Sequence, residues 1–212
     1  MSNHGNIPTG NVAAAFVVFK RDGQTESPYG YFMDSDGQIC TRRVTADTWE
    51  WSDGGGWQSF SKYYPHYAKF GPVCAAFTKE NIPHLIVKRE NRYEIVWNDS
   101  SKWHDPDEAN MRTRVIEISG NVSGATEVLG KHLLVFTESN KYFFCGLDEF
   151  TPYHASGTTF DGTVSSALPG TITKVPNVNL KKDNIYVLRG GNWLGYHVRK
   201  GEVVDTVSLE KA

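Results

Sequence analysis

The chain has 212 residues, enough for one domain with a sizeable core and tight for two. Lys plus Arg number 22 against 24 Asp plus Glu, and this net charge of -2 gives no electrostatic footing for a phosphate backbone, so no nucleic-acid partner is expected. Aromatic residues make up 13% of the chain, which excludes a disordered polymer. No stretch approaches ~18 uninterrupted apolar residues, and the polar opening MSNHGNIPTGN carries no leader pattern. No membrane span and a cytoplasmic location are therefore expected. Cys40, Cys74 and Cys145 are odd in number and widely spaced, which reads as free thiols and not as a disulfide framework or zinc site.

In chain order, the first segment with a clear pattern is Val12-Ala13-Ala14-Ala15-Phe16, a strand of small residues. An apolar hairpin follows from Tyr29, YGYFMDSDGQICTR, turning at Asp34 to Gly37, and then a Trp- and Gly-rich run through Trp49, Trp51 and Trp57. After the aromatic loop Tyr63-Tyr64-Pro65-His66-Tyr67, the small-residue strand returns as Val73-Cys74-Ala75-Ala76-Phe77. A second hairpin begins at His84 (HLIVKRENRYEIVW), a third at His132 (HLLVFTESNKYFFC) and a fourth at Asn184 (NIYVLRGGNWLGYH). Their turns, at Arg89-Glu90-Asn91, Thr137 to Asn140 and Arg189 to Asn192, are rich in residues that accept positive φ or bond their own backbone.

The hairpins start roughly fifty residues apart, near the roughly 40 to 50 residues of a propeller blade. Small strands suit the axis of such a ring, where backbones converge and Leu or Phe would collide. Gly124 to Leu129 and Val178 to Leu180 are the candidates for that inner strand in units three and four. Between units two and three, Asp105 fits an N-cap with Pro106 and Glu108 behind it, so one short helix is expected there. Capping explains the acids of His104, Asp105, Asp107 and Glu108 more simply than a metal cluster does, and no metal site is assigned. The expected fold is all-β, a single four-bladed β-propeller over 1–212 with one or two short helices and units near 11–70, 71–123, 124–174 and 175–212. The N-terminal segment is a candidate closing strand for the last blade.

The order of a small strand with Ala-Ala-Phe, an apolar hairpin strand and a Tyr-bearing strand, clearest over Val73 to Trp97, resembles the hemopexin-like four-bladed propellers. Where that family usually places an acidic residue before the alanines, this chain has Ala13 and Cys74. No cofactor is expected, and an ion in the propeller channel is the one addition the resemblance allows. The first unit, Tyr31 to Gly37 leading to Gly55-Gly56-Trp57, is also similar to repeats of the fungal-type fucose-binding propeller lectins. Those lectins hold sugar between blades with an Arg, a Glu and a Trp. Both resemblances imply a propeller whose role is binding.

The linear signatures of zinc proteases, serine hydrolases, phosphate loops and dinucleotide folds are absent. His84 and His132 open the same strand in consecutive units, so equivalent places are expected for them, and with Tyr64 and His66 they form the catalytic set if the chain is an enzyme. An exposed Trp face stacks on the apolar face of a sugar while Arg and acids fix its hydroxyls. The ligand-binding candidates are Trp49, Trp57, Arg92, Glu94, Trp97, Trp103, Arg189 and Trp193. Arg92, Glu94 and Trp97, and separately Arg189 and Trp193, bring the combination together locally. The expected function is a carbohydrate-binding lectin with a glycan or small-molecule partner. Acid–base catalysis in a central pocket, and haem or polyamine binding through the histidines, are the alternatives.

Overall fold

The computed structural model describes residues 7–44, 51–53, 56–100, 102–170, 184–201 and 207–212. Four antiparallel sheets are built from successive strands. Blade I holds β1 (Val12–Asp22), β2 (Thr25–Asp34), β3 (Gln38–Val44) and β4 (Trp51–Asp53), with β5 (Gln58–Ser59) also on β3. Blade II holds β6 (Val73–Lys79), β7 (Ile82–Arg89), β8 (Arg92–Asn98) and β9 (Met111–Ile116). Blade III holds β10 (Val122–Val128), β11 (His132–Thr137), β12 (Lys141–Gly146) and β13 (Thr158–Thr159). Blade IV holds β14 (Ser166–Pro169), β15 (Asn184–Arg189), β16 (Asn192–Lys200) and β17 (Val207–Lys211). The inner strands β1, β6, β10 and β14 each touch the next, and β14 returns to β1, so the ring closes as a four-bladed β-propeller.

The repeat is visible in the register. In blades I, II and III the first hairpin slips by one residue at the same place, between Val12 and Ala14, Val73 and Ala75, and Val122 and Gly124. Counting from that bulge aligns Ala15, Ala76 and Ala125, with Ala167 in blade IV, and all four are at most 2% exposed. Space at the axis is tight: a Cβ on Gly124 would lie 3.3 Å from Val164 Cγ1 and 3.4 Å from the Ser166 backbone. Strand alternation sends successive side chains of each blade to opposite neighbours, giving four inter-blade cores in place of one central one.

The hairpin turns take the backbone their residues allow. Glu90, Asn140, Gly190 and Gly191 all have φ between 54° and 78°, and Asp34 accepts from the N–H groups of Asp36 and Gln38. Adjacent blades are also clipped together: Asn81 pairs its amide with both backbone groups of Phe19, at 2.7 and 2.8 Å.

Three expectations change. The inner strand of blade IV is Ser166–Pro169, while Val178 to Leu180 lies outside the described residues. That strand is short and ends in proline, so it carries no visible period. The turn of helix between blades II and III covers Glu108–Asn110 and is capped by Asp107, whose carboxylate accepts from Ala109 N, and not by Asp105. Among the described residues the outer strand of blade IV is β17 and not the N-terminal segment. Ile7 instead packs into the IV–I core and Pro8 accepts the Trp193 indole N–H at 2.9 Å.

Candidate functional site at the junction of blades II and III

Four neighbouring strands of blade II put Phe77, His84, Trp97 and Arg112 in one cross-strand row, from the axis outward. Phe77 stacks on His84 at 5.1 Å and His84 on Trp97 at 5.0 Å, with interplanar angles of 25° and 16°. Phe150 of blade III lies alongside the three rings, 5.8 to 6.0 Å from each. The inner two rings are 2–3% exposed, whereas Trp97 is only partly buried and ends the stack. Its indole N–H donates to Asp99 at 2.7 Å. The same carboxylate holds Arg112 at 2.9 Å, and the Arg112 guanidinium also donates to the carbonyls of Ala109 and Met111. These bonds draw the cation toward the 109–111 turn.

A cavity of about 370 Å³ opens over this row, with His84, Trp97 and Phe150 as floor and Lys79, Asp99, Arg112, Arg114 and Asp148 around it. Lys79 pairs with the Asp148 carboxylate at 3.2 Å and Arg114 donates to its carbonyl at 3.0 Å, tying blade II to the loop of blade III. Beyond Phe150 a larger cleft of about 1130 Å³ continues between the Asn91–Arg92 turn, residues 115–121 and residues 149–155. Burial lowers the His84 pKa to about 4, helped by the Lys79 charge and opposed by the hydrogen bond at 2.8 Å between Nδ1 and Ile82 O. His84 is therefore a neutral ring at physiological pH, with Nδ1–H as the donor to that carbonyl.

The candidates read from the sequence separate accordingly. His84 and Trp97 meet here, although they stood in different candidate sets. Arg92 and Glu94 do not join them: Tyr93 and Ile95 face the II–III core and Val96 the I–II core, so Glu94 lies on the face of β8 opposite Trp97. Glu94 is buried and paired with Arg92 at 2.9 Å and Arg89 at 3.7 Å. Alternation splits the other pair too. Trp193 is 8% exposed in the IV–I core, whereas Arg189 binds Asp161 at 2.8 Å and Tyr196 at 2.6 Å on the III–IV side. Trp103 is 5% exposed inside the I–II core. Trp57 is 41% exposed, and Trp49 lies outside the described residues.

His84 and His132 are not equivalent. His84 pairs with Phe77, aligned with Thr126, but His132 pairs with Val128, two positions further along, because His84 is the third residue of β7 and His132 the first of β11. His132 packs on Phe144 and Tyr153, and burial together with Lys200 and Lys131 lowers its pKa. Tyr64 is buried in the I–II core, between two short helices, α1 (Phe60–Tyr63) and α2 (Pro65–Ala68), and His66 is partly buried on α2. The His104 to Glu108 acids disperse to Ala109 N, Asn110 and Lys69, and no metal-binding group of three such side chains occurs among the described residues. Asp99 and Arg112, which complete the site, escape a search for local motifs. Their signal was the blade register, which sets Arg112 opposite Trp97.

No protein-family model matches the chain, and no curated protein matches it in sequence. Among solved structures the chain is similar to "Structure of U3-55K" (10% identity over 93% of this chain and 65% of that one, TM-score 0.40). It is likewise similar to "Crystal structure of RRP9 WD40 repeats" (10% identity over 93% and 64%, TM-score 0.41). The chain thus spans just under two thirds of the length of these structures, and at this identity the likeness concerns the fold alone. The hemopexin-like and fucose-lectin resemblances remain resemblances. Among the described residues no helix is long and apolar enough to cross a membrane.

Proposed function

We propose that this propeller is a carbohydrate-binding protein and that the saccharide sits over Trp97 at the junction of blades II and III. The observation that carries the reading is the position of Trp97. It ends a stack whose inner members are buried, and it lies in a cavity of about 370 Å³ ringed by Asp99, Arg112 and Arg114. A sugar presents an apolar C–H face and an edge of hydroxyls, so it asks for one aromatic surface and for fixed charged donors and acceptors beside it. His84 supports the indole from behind and stays neutral, which leaves the polar rim to make the hydroxyl contacts. The near-zero charge balance favours an uncharged ligand over nucleic acid. The test is binding of the purified chain to an array of immobilised glycans, with Trp97→Ala beside Trp57→Ala. The expected result is binding that Trp97→Ala abolishes and Trp57→Ala keeps. Silence across the array, or indifference to Trp97→Ala, overturns the reading.

A further inference from the structure

At the I–II junction a second cluster gathers Lys20 of blade I, Tyr31 of β2, Tyr64 of the helical loop and His104 of the loop before β9. Lys20 Nζ lies 3.1 Å from His104 Nε2, the Tyr31 hydroxyl 3.2 Å from the same nitrogen, and the Tyr64 hydroxyl 3.2 Å from Nδ1. Donor counting fixes the proton positions. An ammonium can only donate, so Nε2 is the acceptor and Nδ1–H donates to Tyr64. Tyr31 is fully buried and anchors the group from below, while His104 is exposed and Lys20 partly so. The Lys20 ammonium also rests over the rings of Tyr29 and Tyr31, at 4.8 and 5.4 Å.

We propose that Lys20 is a reactive amine that condenses with a carbonyl compound, an aldehyde or ketone, to form an imine. In the step His104 Nε2 takes a proton from the Lys20 ammonium. The freed nitrogen lone pair attacks the carbonyl carbon, forming the C–N bond while the C=O π electrons move to oxygen. That oxygen takes one proton from solvent, and the hydroxyl so formed takes the proton held by His104 Nε2 and leaves as water. The nitrogen's second proton is lost to solvent and the C=N bond closes, so one water is released per imine and no oxidant is needed. Burial holds the Lys20 pKa below that of a free lysine, and burial with the Lys20 charge lowers that of His104 as well. The first direction enlarges the fraction of neutral amine at physiological pH, and the second keeps His104 unprotonated, with Nε2 free to accept.

The experiment treats the folded chain at pH 7.5 with benzaldehyde and sodium cyanoborohydride and maps the alkylated lysines by peptide mass spectrometry. Lys20 is expected to be labelled about tenfold faster than the mean of the other lysines. His104→Gln should bring that rate down to the mean and move its pH profile upward, with tryptophan fluorescence confirming the fold. Tyr64→Phe, which keeps the ring in the core, should slow labelling less than His104→Gln does. Labelling of Lys20 at or below the mean overturns the proposal, and so does an unchanged rate and pH profile in His104→Gln.

Discussion

The junctions between blades I and II and between blades II and III start from the same pattern and end differently. Each places an aromatic inner-strand residue against its cross-strand partner, Phe16 on Tyr31 at 5.0 Å and Phe77 on His84 at 5.1 Å. At I–II the loop between β8 and β9 folds back and drives Trp103 among Phe16, Tyr31, Tyr64 and Tyr67, filling the space with core. At II–III the corresponding loop brings Phe150, which lies along the stack and leaves Trp97 at its end. A tryptophan that is covered holds blades together, and one left at the end of a stack offers a binding surface. The difference lies in the loops, since the strands are repeats.

Substitutions can break this contrast, and the largest effect is expected at Trp103. Trp103→Ala empties the centre of the I–II core and should cost about 4 kcal/mol in denaturant unfolding, because a buried aromatic loses its transfer energy and leaves a cavity. Trp97→Ala should cost on the order of 1 kcal/mol of stability, since that ring is only partly buried. If the two costs came out equal, the contrast between filler and site would fail.

Acidification probes the II–III side. His84 titrates near pH 4 in the fold against 6.5 when unfolded. Above 6.5 both states are neutral and the group does not affect stability. As pH falls from 6.5 toward 4 the unfolded chain gains the proton first, so stability declines by up to roughly 3 kcal/mol and then levels off. The lowered pKa values of His104 and His132 act in the same direction. Unfolding midpoints measured from pH 7 to pH 4, with His84→Phe removing the largest part of the slope, check this.

The proposed saccharide site offers a finer comparison. Replacing Arg112 by Lys keeps the charge but loses the planar fork held by Asp99, and it should weaken binding by about 1–2 kcal/mol, roughly tenfold, with the fold intact. The smallest effect is expected at the axis, where Gly124→Ala forces a Cβ against Val164 and Ser166. Thermal unfolding should register a loss of about 1 kcal/mol there.

Much of this was legible in the chain itself. The small-residue strands at Val12 and Val73, the hairpin turns and their roughly fifty-residue spacing are local signals, and local backbone chemistry is enough to imply four blades. The blade IV inner strand was not legible, because four residues ending in Pro169 show no period. Trp97 and His84 were both named from the sequence, in separate candidate sets, but their contact was not. Arg92, Glu94 and Trp97 are close in sequence and part company because side chains alternate across a strand, a rule that sequence alone could have applied. Which tryptophans are covered is another matter. Trp193 is capped by Pro8 from the other end of the chain and Trp103 by rings from three separate segments. Composition and period thus determined the hairpins and the number of blades, whereas burial of a particular ring depends on loops arriving from distant positions, and only the tertiary structure decided that.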